Sequence, residues 1–153
     1  MTREDIRKAL TDEQALTLTL LGEAAGESLA GQVAVGCVIR NRMLEQTWFG
    51  KTIASVCLRD SQFSCWWEAT VNSDRLYETA EALLQQTVPP VNPVVLAELA
   101  WVANGILSGA LRDRTNQANH YLTTALLEST HAPGWARAKS PVAVIDHHTF
   151  FRL

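Results

Sequence analysis

The sequence has 153 residues, of which 47% are apolar and 19% are charged, so it can fill a hydrophobic core and is not typical of a disordered chain. Its formal net charge of -3 excludes a polycation that grips nucleic acid, and no apolar run is long enough to span a membrane. We expect one domain over residues 1–153, in a monomer without stable membrane insertion.

Helices dominate the predicted elements. A first helix begins after Thr11, where Thr11 and Gln14 form a capping-box pattern, and its apolar face ends near Ala25. Further helices are predicted, in chain order, over residues 29–44, 52–58, 76–86 and 93–107, with a proline-rich loop at 88–93. Strand signals are confined to residues 119–123, 142–145 and 149–152. The prediction is a mainly α (α+β) domain with a small β element.

Three cysteines, Cys37, Cys57 and Cys65, cannot all pair within one monomer, and none has metal-site spacing with another Cys or His. We predict buried, reduced thiols, no metal and no other cofactor. The charged segment Met1–Asp5 is not typical of a secretory signal, so we expect the protein to be cytoplasmic at synthesis.

Two acids, Glu23 and Glu27, stand four residues apart at the end of the first predicted helix. Glu23 follows Leu20 by three residues and so lies beside the apolar face, where partial burial favours the protonated carboxylic acid that a glycosidase needs. Glu27 is expected to be more exposed. The alternative is that both are solvated helix-end acids, or that Glu27 pairs with a basic residue such as Arg40.

Ordered motifs extend along most of the chain. Residues 21–42 read LGEAAGESLAGQVAVGCVIRNR, and later blocks are Gln62-Phe63-Ser64, Asp113-x-Thr115, His120-Tyr121, Trp135 and His148-Thr149-Phe150-Phe151. In this order they resemble the spore-cortex-lytic (SleB-like) cell-wall hydrolases. The resemblance implies a lysozyme-like, lytic-transglycosylase-like helical domain. It also implies cleavage of the β-1,4 bond between N-acetylmuramic acid and N-acetylglucosamine in peptidoglycan, with Glu23 as the catalytic acid.

The expected chemistry needs a single carboxyl group. Glu23 protonates the leaving oxygen and then acts as base, either on the sugar's own 6-hydroxyl, as in a lytic transglycosylase, or on water, as in a hydrolytic muramidase. The family favours the transglycosylase. A paired-carboxylate mechanism would instead need Glu27 or Asp113 opposite Glu23, although Asp113 and Thr115 look more like a turn stabiliser.

The resemblance also indicates substrate-binding residues. These are Gln62, Phe63 and Ser64, then Asn119, His120 and Tyr121, and Trp135 as a platform for a sugar ring. The alternatives are that residues 62–64 form an ordinary loop with Phe63 buried, and that residues 119–121 belong to a short sheet with one solvent-exposed side. The tryptophans could likewise fill the core. Of the adjacent Trp66 and Trp67, one is expected to point inward and one outward, and Trp101 is expected to be a core residue.

Two loops depart from the family pattern. Asn116-Gln117 and Asp146-His147 stand where glycine is common in the family, which leaves the geometry of both loops open. His147 and His148 do not predict a metal site, because neighbours in a strand face opposite sides and no third ligand has suitable spacing. His148, the family-matched residue, is expected to be structural or at the cleft edge.

Two other classes of function fit the sequence less well. A non-catalytic glycan-binding module would lack the first motif acid, and an amidase or peptidase would need a metal or a Cys/His pair. The lack of a signal and of further domains favours a phage or prophage endolysin that reaches the periplasm and cell wall through a holin lesion. The alternatives are a gene-transfer agent or a wall-remodelling enzyme.

Overall fold

The structure is a computed structural model that describes residues 1–153. It contains nine helices and one three-stranded sheet, in the order α1 (Arg3–Ala9), α2 (Asp12–Ala24), α3 (Leu29–Glu45), α4 (Ile53–Cys57), α5 (Ser64–Trp67), α6 (Val71–Gln85), α7 (Pro93–Leu107), β1 (His120–Thr123), α8 (Thr124–Glu128), α9 (Gly134–Arg137), β2 (Ala143–Ile145) and β3 (His148–Phe151). The predicted mainly α domain with a small β element is confirmed. None of the helices has both the length and the apolar character that crossing a membrane requires.

The second helix forms the centre of the molecule. Its residues Leu16, Leu18 and Leu20 are fully buried, and α3, α4, α6 and α7 pack around it. An apolar helix of this kind is stable only when neighbours cover it on several sides. The predicted capping box of Thr11 and Gln14 is present at its start. Glu23 therefore lies in the last turn of a buried helix.

Several elements differ from the prediction. α1 was not predicted, and α6 begins at Val71 because the Thr70 side chain accepts a hydrogen bond from the Ser73 amide. The short helices α5, α8 and α9 were also missed, since four or five residues are too few to show a helical period.

The sheet has the order β1-β3-β2 and is antiparallel throughout. His148 at the start of β3 is paired with Thr123 of β1 and with Ile145 of β2. Phe150 is fully buried and packs with Ala34 and Val38 of α3, which attaches the sheet to the helical part. The three predicted strands are confirmed to within a residue or two at each end.

The prediction that Trp101 is a core residue is wrong, because 59% of it is exposed. Helix α7 buries Leu99, Val102, Ala103 and Ile106, and Trp101 falls outside that face. The hydrophobic pattern of α7 is broad, and only the placement of α2 and α3 decides which side is covered. For the adjacent pair, Trp66 is fully buried and Trp67 is partly buried.

All three cysteines are free thiols. Cys37 and Cys57 are buried as predicted, and burial raises the pKa of the first to about 11 and of the second to about 12. Cys65 is only partly buried, and its surroundings belong to the candidate site.

Candidate active site

Glu23 lies where the buried helix α2 reaches the surface. Glu23 is partly buried, and its Oε2 atom is 3.4 Å from the hydroxyl oxygen of Tyr121 in β1. This O–H···O contact is long for a hydrogen bond, and catalytic contacts are often long before substrate binds. The end of α2 and the first strand thus bring together two predicted residues that are 98 positions apart in the sequence.

Tyr121 faces Glu23 as a neutral donor. Burial, followed by the nearby Glu23 carboxylate, raises the pKa of the Tyr121 phenol well above its ordinary value. Its ring meets the ring of His148 edge-on, with centroids 5.1 Å apart, and lies 5.9 Å from the Phe150 ring. These neighbours fix the ring, so the hydroxyl is held towards Glu23.

Cys65 is the second neutral neighbour of Glu23, and the sequence reasoning missed it. Burial, and then the Glu23 carboxylate, raises the pKa of the Cys65 thiol, which therefore stays protonated. A Cβ atom on Gly22 would lie 2.6 Å from the Cβ of Cys65, so glycine at position 22 allows α5 to approach the end of α2. The available signal was the position of Cys65 directly after Ser64 in the family-like block.

Glu27 is less exposed than predicted, with only 12% of its side chain accessible. Its Oε2 atom is 3.0 Å from Nδ1 of His147, and its Oε1 atom is 3.6 Å from Nδ1 of His148. The alternative of a pair with Arg40 is also wrong, because Arg40 binds the Ile106 carbonyl oxygen. The expectation failed because the β2–β3 hairpin, 120 residues away, covers the carboxylate.

The two histidines reach the same side of the hairpin, which corrects the expectation of opposite faces. His147 belongs to the two-residue turn between β2 and β3, so strand alternation does not apply to it. His148 is buried, and its Nδ1 atom has no hydrogen bond within 3.5 Å. Glu27 therefore lies 3.6 Å from the ring that packs edge-on against Tyr121, without a hydrogen bond to it. No group of three His, Cys, Asp or Glu side chains has an arrangement that would hold a metal ion.

Both loops that depart from the family pattern use left-handed backbone. Asn116, Gln117 and Asp146 have φ values of 55°, 64° and 50°, a region in which glycine is favoured and asparagine and aspartate are tolerated. The Asp146 carboxylate also accepts hydrogen bonds from the amide and hydroxyl of Ser28, the residue that caps α3. These hydrogen bonds lower the pKa of Asp146 and tie the hairpin turn to the start of α3.

The 62–64 block and the 119–121 block meet at Arg42. This buried guanidinium donates from Nε to the Asn119 carbonyl oxygen at 2.7 Å and lies 5.5 Å from the Phe63 ring centre. Burial lowers the pKa of Arg42. Phe63 is buried, Gln62 is partly buried and Ser64 is exposed, so the block has one anchoring residue and two polar side chains nearer the solvent.

Asn119 and His120 have different surroundings. Asn119 is buried, and its side chain binds the main chain of Leu153 and the carboxylate of Glu45, so its amide groups serve contacts within the chain. The His120 ring lies between Phe49 and Trp135, with ring centroids 5.7 Å and 5.1 Å away. Burial and then Arg42 lower the pKa of His120, so it is neutral at pH 7. Trp135 is partly buried, and its ring also contacts Phe151.

Asp113 stabilises a turn. Its carboxylate accepts hydrogen bonds from the amide and hydroxyl of Thr115, from the Gln117 amide and from the Asn41 side chain. Burial acts to raise the pKa of Asp113, but these hydrogen bonds outweigh it and lower the pKa. The predicted role as a turn stabiliser is confirmed, and the carboxylate has no contact with Glu23.

Comparison with known proteins defines the class of the protein. The profile of the Cell Wall Hydrolase family matches residues 26–151, most of the chain, so the chain belongs to this family of enzymes. Glu23 stands three residues before the matched segment, whereas Glu27 lies inside it. No curated protein matches the chain.

Two solved structures share the fold. The catalytic domain of the Bacillus cereus SleB protein is 22% identical with a TM-score of 0.55, and the match covers 91% of this chain and 88% of that one. The catalytic domain of a germination-specific lytic transglycosylase, SleB from Bacillus anthracis, is also 22% identical with a TM-score of 0.55, covering 93% of this chain and 96% of that one. The expected SleB-like, lysozyme-like fold is confirmed.

Proposed function

We propose that this enzyme cleaves the β-1,4 bond between N-acetylmuramic acid and N-acetylglucosamine in peptidoglycan as a lytic transglycosylase, with Glu23 as its single catalytic carboxyl group. The observation that carries the proposal is the set of neighbours around Glu23. The Tyr121 hydroxyl lies 3.4 Å from its carboxylate, the nearby Cys65 thiol stays protonated, and the other candidate acids are engaged elsewhere. The structures named above support the fold, and the second is of a lytic transglycosylase.

The chemistry proceeds in two proton transfers at the same side chain. Protonated Glu23 donates its proton to the glycosidic oxygen as the C–O bond breaks, and the N-acetyl group of the muramoyl sugar bonds to the positive anomeric carbon. The Glu23 carboxylate then takes the proton of the 6-hydroxyl while that oxygen bonds to the anomeric carbon and displaces the N-acetyl oxygen. Glu23 is left protonated, and the product is a 1,6-anhydro sugar.

Tyr121 supports the first transfer. Its hydroxyl is held towards Oε2 and stays protonated, so it can stabilise the negative charge that develops on Glu23 when the proton leaves. We expect Gln62, Ser64, His120 and Trp135 to contact the sugars, because their exposed or partly buried side chains flank the blocks joined by Arg42. Phe63 and Asn119 would act by holding these blocks in place.

The test is a comparison of two acids with a matched control. We expect Glu23→Gln to lower the rate of muropeptide release from purified peptidoglycan by about 10²- to 10⁴-fold, because amide replaces the only proton donor. Glu13→Gln makes the same change at the exposed start of α2 and is expected to keep full activity. If Glu27→Gln abolishes release while Glu23→Gln does not, the catalytic acid is Glu27 and the proposal is wrong.

The chemistry of the released products distinguishes a lytic transglycosylase from a hydrolytic muramidase. Mass spectrometry of the released fragments is expected to show the anhydro form of N-acetylmuramic acid, which has one water fewer than the hydrolysed sugar. Fragments with only reducing-end muramic acid would instead identify a hydrolytic muramidase on the same fold. A glycan-binding module without activity would release neither.

A role as an endolysin stays a prediction. Expression in a Gram-negative host with and without a holin tests it, because an endolysin made in the cytoplasm is expected to lyse cells only when the inner membrane is opened. Lysis that does not depend on the holin would contradict this role.

A further inference from the structure

A groove lies beside the end of α2. It has a volume of about 790 Å³ and runs between the start of α3 and the first turns of α7. Its lining includes three large apolar residues, Leu29, Val94 and Trp101. It also includes three polar residues, Glu27, Gln32 and Glu98. We call it the α7 groove. Its volume is in the range of ordinary small-molecule sites.

The apolar residues of the α7 groove are unusually exposed. Leu29, Val94 and Trp101 have exposed fractions of 54%, 62% and 59%. A single exposed apolar residue is ordinary, but three around one cavity are typical of a binding surface. No other part of the chain covers Trp101, whereas α7 buries Leu99, Val102, Ala103 and Ile106 on the face towards α2 and α3.

The lining suits a sugar. The flat face of an indole ring can cover the C–H face of a pyranose, and tryptophan combines that face with an N–H donor. Glu98 offers an exposed carboxylate for hydroxyl and acetamido groups. Gln32 offers its amide oxygen, since its Nε2 donates to the Glu27 carbonyl oxygen. Because the groove holds two carboxylates and no basic side chain, it disfavours an anionic ligand such as a phosphate polymer.

The groove lies next to the candidate active site along the chain and through one shared contact. Ala25, two residues after Glu23, lines it, and so does Glu27, whose carboxylate is 3.6 Å from the His148 ring that packs against Tyr121. Asn104 near the end of α7 binds Glu13 at the start of α2, so the helices are antiparallel and the start of α7 lies at the Glu23 end of α2. A strand that passes Glu23 can therefore continue across residues 24–28 into the groove.

We propose that the α7 groove binds an N-acetylglucosamine unit of the same glycan strand, away from the scissile bond, with Trp101 as its platform. This inference rests on the proposed function for its substrate class. A second copy of the chain fits less well, because a symmetric contact through this face would bring the acidic groove of one copy against the acidic groove of the other.

The experiment uses glycan strands without peptide stems, sorted by length. Trp101→Ala is expected to lower kcat/KM for long strands about tenfold. For a tetrasaccharide, kcat/KM is expected to change by less than about twofold, because only a long strand reaches the groove. Trp101→Phe should keep most of the activity on long strands. Leu107→Ala is the matched control, since Leu107 is an exposed apolar residue at the other end of the same helix.

Three results would overturn the inference. They are unchanged activity of Trp101→Ala on long strands, an equal loss on long and short strands, and a concentration-dependent dimer that Trp101→Ala dissociates in analytical ultracentrifugation. Calorimetric binding of long strands to Glu23→Gln, with and without Trp101→Ala, separates this inference from the proposed function. A tenfold affinity difference there supports the groove even if the products prove to be those of a hydrolytic muramidase, and an equal affinity refutes the groove while leaving the assignment of Glu23 in place.

Discussion

Substitution of Tyr121 by phenylalanine tests whether the hydroxyl facing Glu23 takes part in the reaction. The change removes one oxygen atom, 3.4 Å from Oε2 of Glu23, and leaves the ring packing against His148 and Phe150 in place. A hydrogen bond to a charged group contributes about 1.5–3 kcal/mol at ordinary length. The contact here is longer, so we expect a loss of about 1–2 kcal/mol of transition-state stabilisation, a decrease in kcat/KM of about 5- to 30-fold.

The assay combines muropeptide release with urea unfolding. We expect the decrease to fall mainly on kcat, since negative charge on Glu23 develops in the transition state. The free energy of unfolding should change by less than about 1 kcal/mol, because partly exposed Glu23 can be solvated. Tyr121→Ala is the packing control and should destabilise by about 3–5 kcal/mol, as for other large aromatic residues. Wild-type activity of Tyr121→Phe, or a loss of stability equal to that of Tyr121→Ala, would refute the reasoning.

Two predictions concern stability. The pKa of Asp113 is lowered in the folded protein, so its contribution is present above the unfolded pKa of about 4 and is lost as the pH falls through the folded value. Urea unfolding should show Asp113→Asn destabilised at pH 7 and progressively closer to wild type below about pH 4, and a pH-independent difference would contradict this. Gly36→Ala places a Cβ atom in steric conflict with Cδ1 of Ile106, which is fully buried, and we expect a cost of about 1–3 kcal/mol from overpacking of α3 against α7. Thermal unfolding should show a lower Tm, with Gly134→Ala, which has open space around it, as the control.

The sequence by itself determined the long helices and the class of the enzyme. The start of α2 follows from Thr11 and Gln14, whose side chains bind backbone groups three residues away, and α7 begins where Asn92 and Pro93 indicate. Such signals are local, so they can be read without the fold. The ordered motifs in turn identified the cell-wall hydrolase family.

The tertiary structure alone decided the surroundings of the two acids. Glu27 is covered by a hairpin 120 residues away, and Cys65 reaches Glu23 only because Gly22 leaves room for α5. Trp101 lies in an open groove because α2 and α3 cover another face of α7. The burial of a side chain and its ionic partners depend on which segments of the chain pack together. The helical period of a sequence indicates that a helix has an apolar face, but it does not indicate which segment covers each residue. The contact between Glu23 and the Tyr121 hydroxyl also depends on the tertiary structure. The position of Glu23 at the end of a predicted helix indicated the acid, but only the placement of β1 beside the end of that helix brings Tyr121 to it.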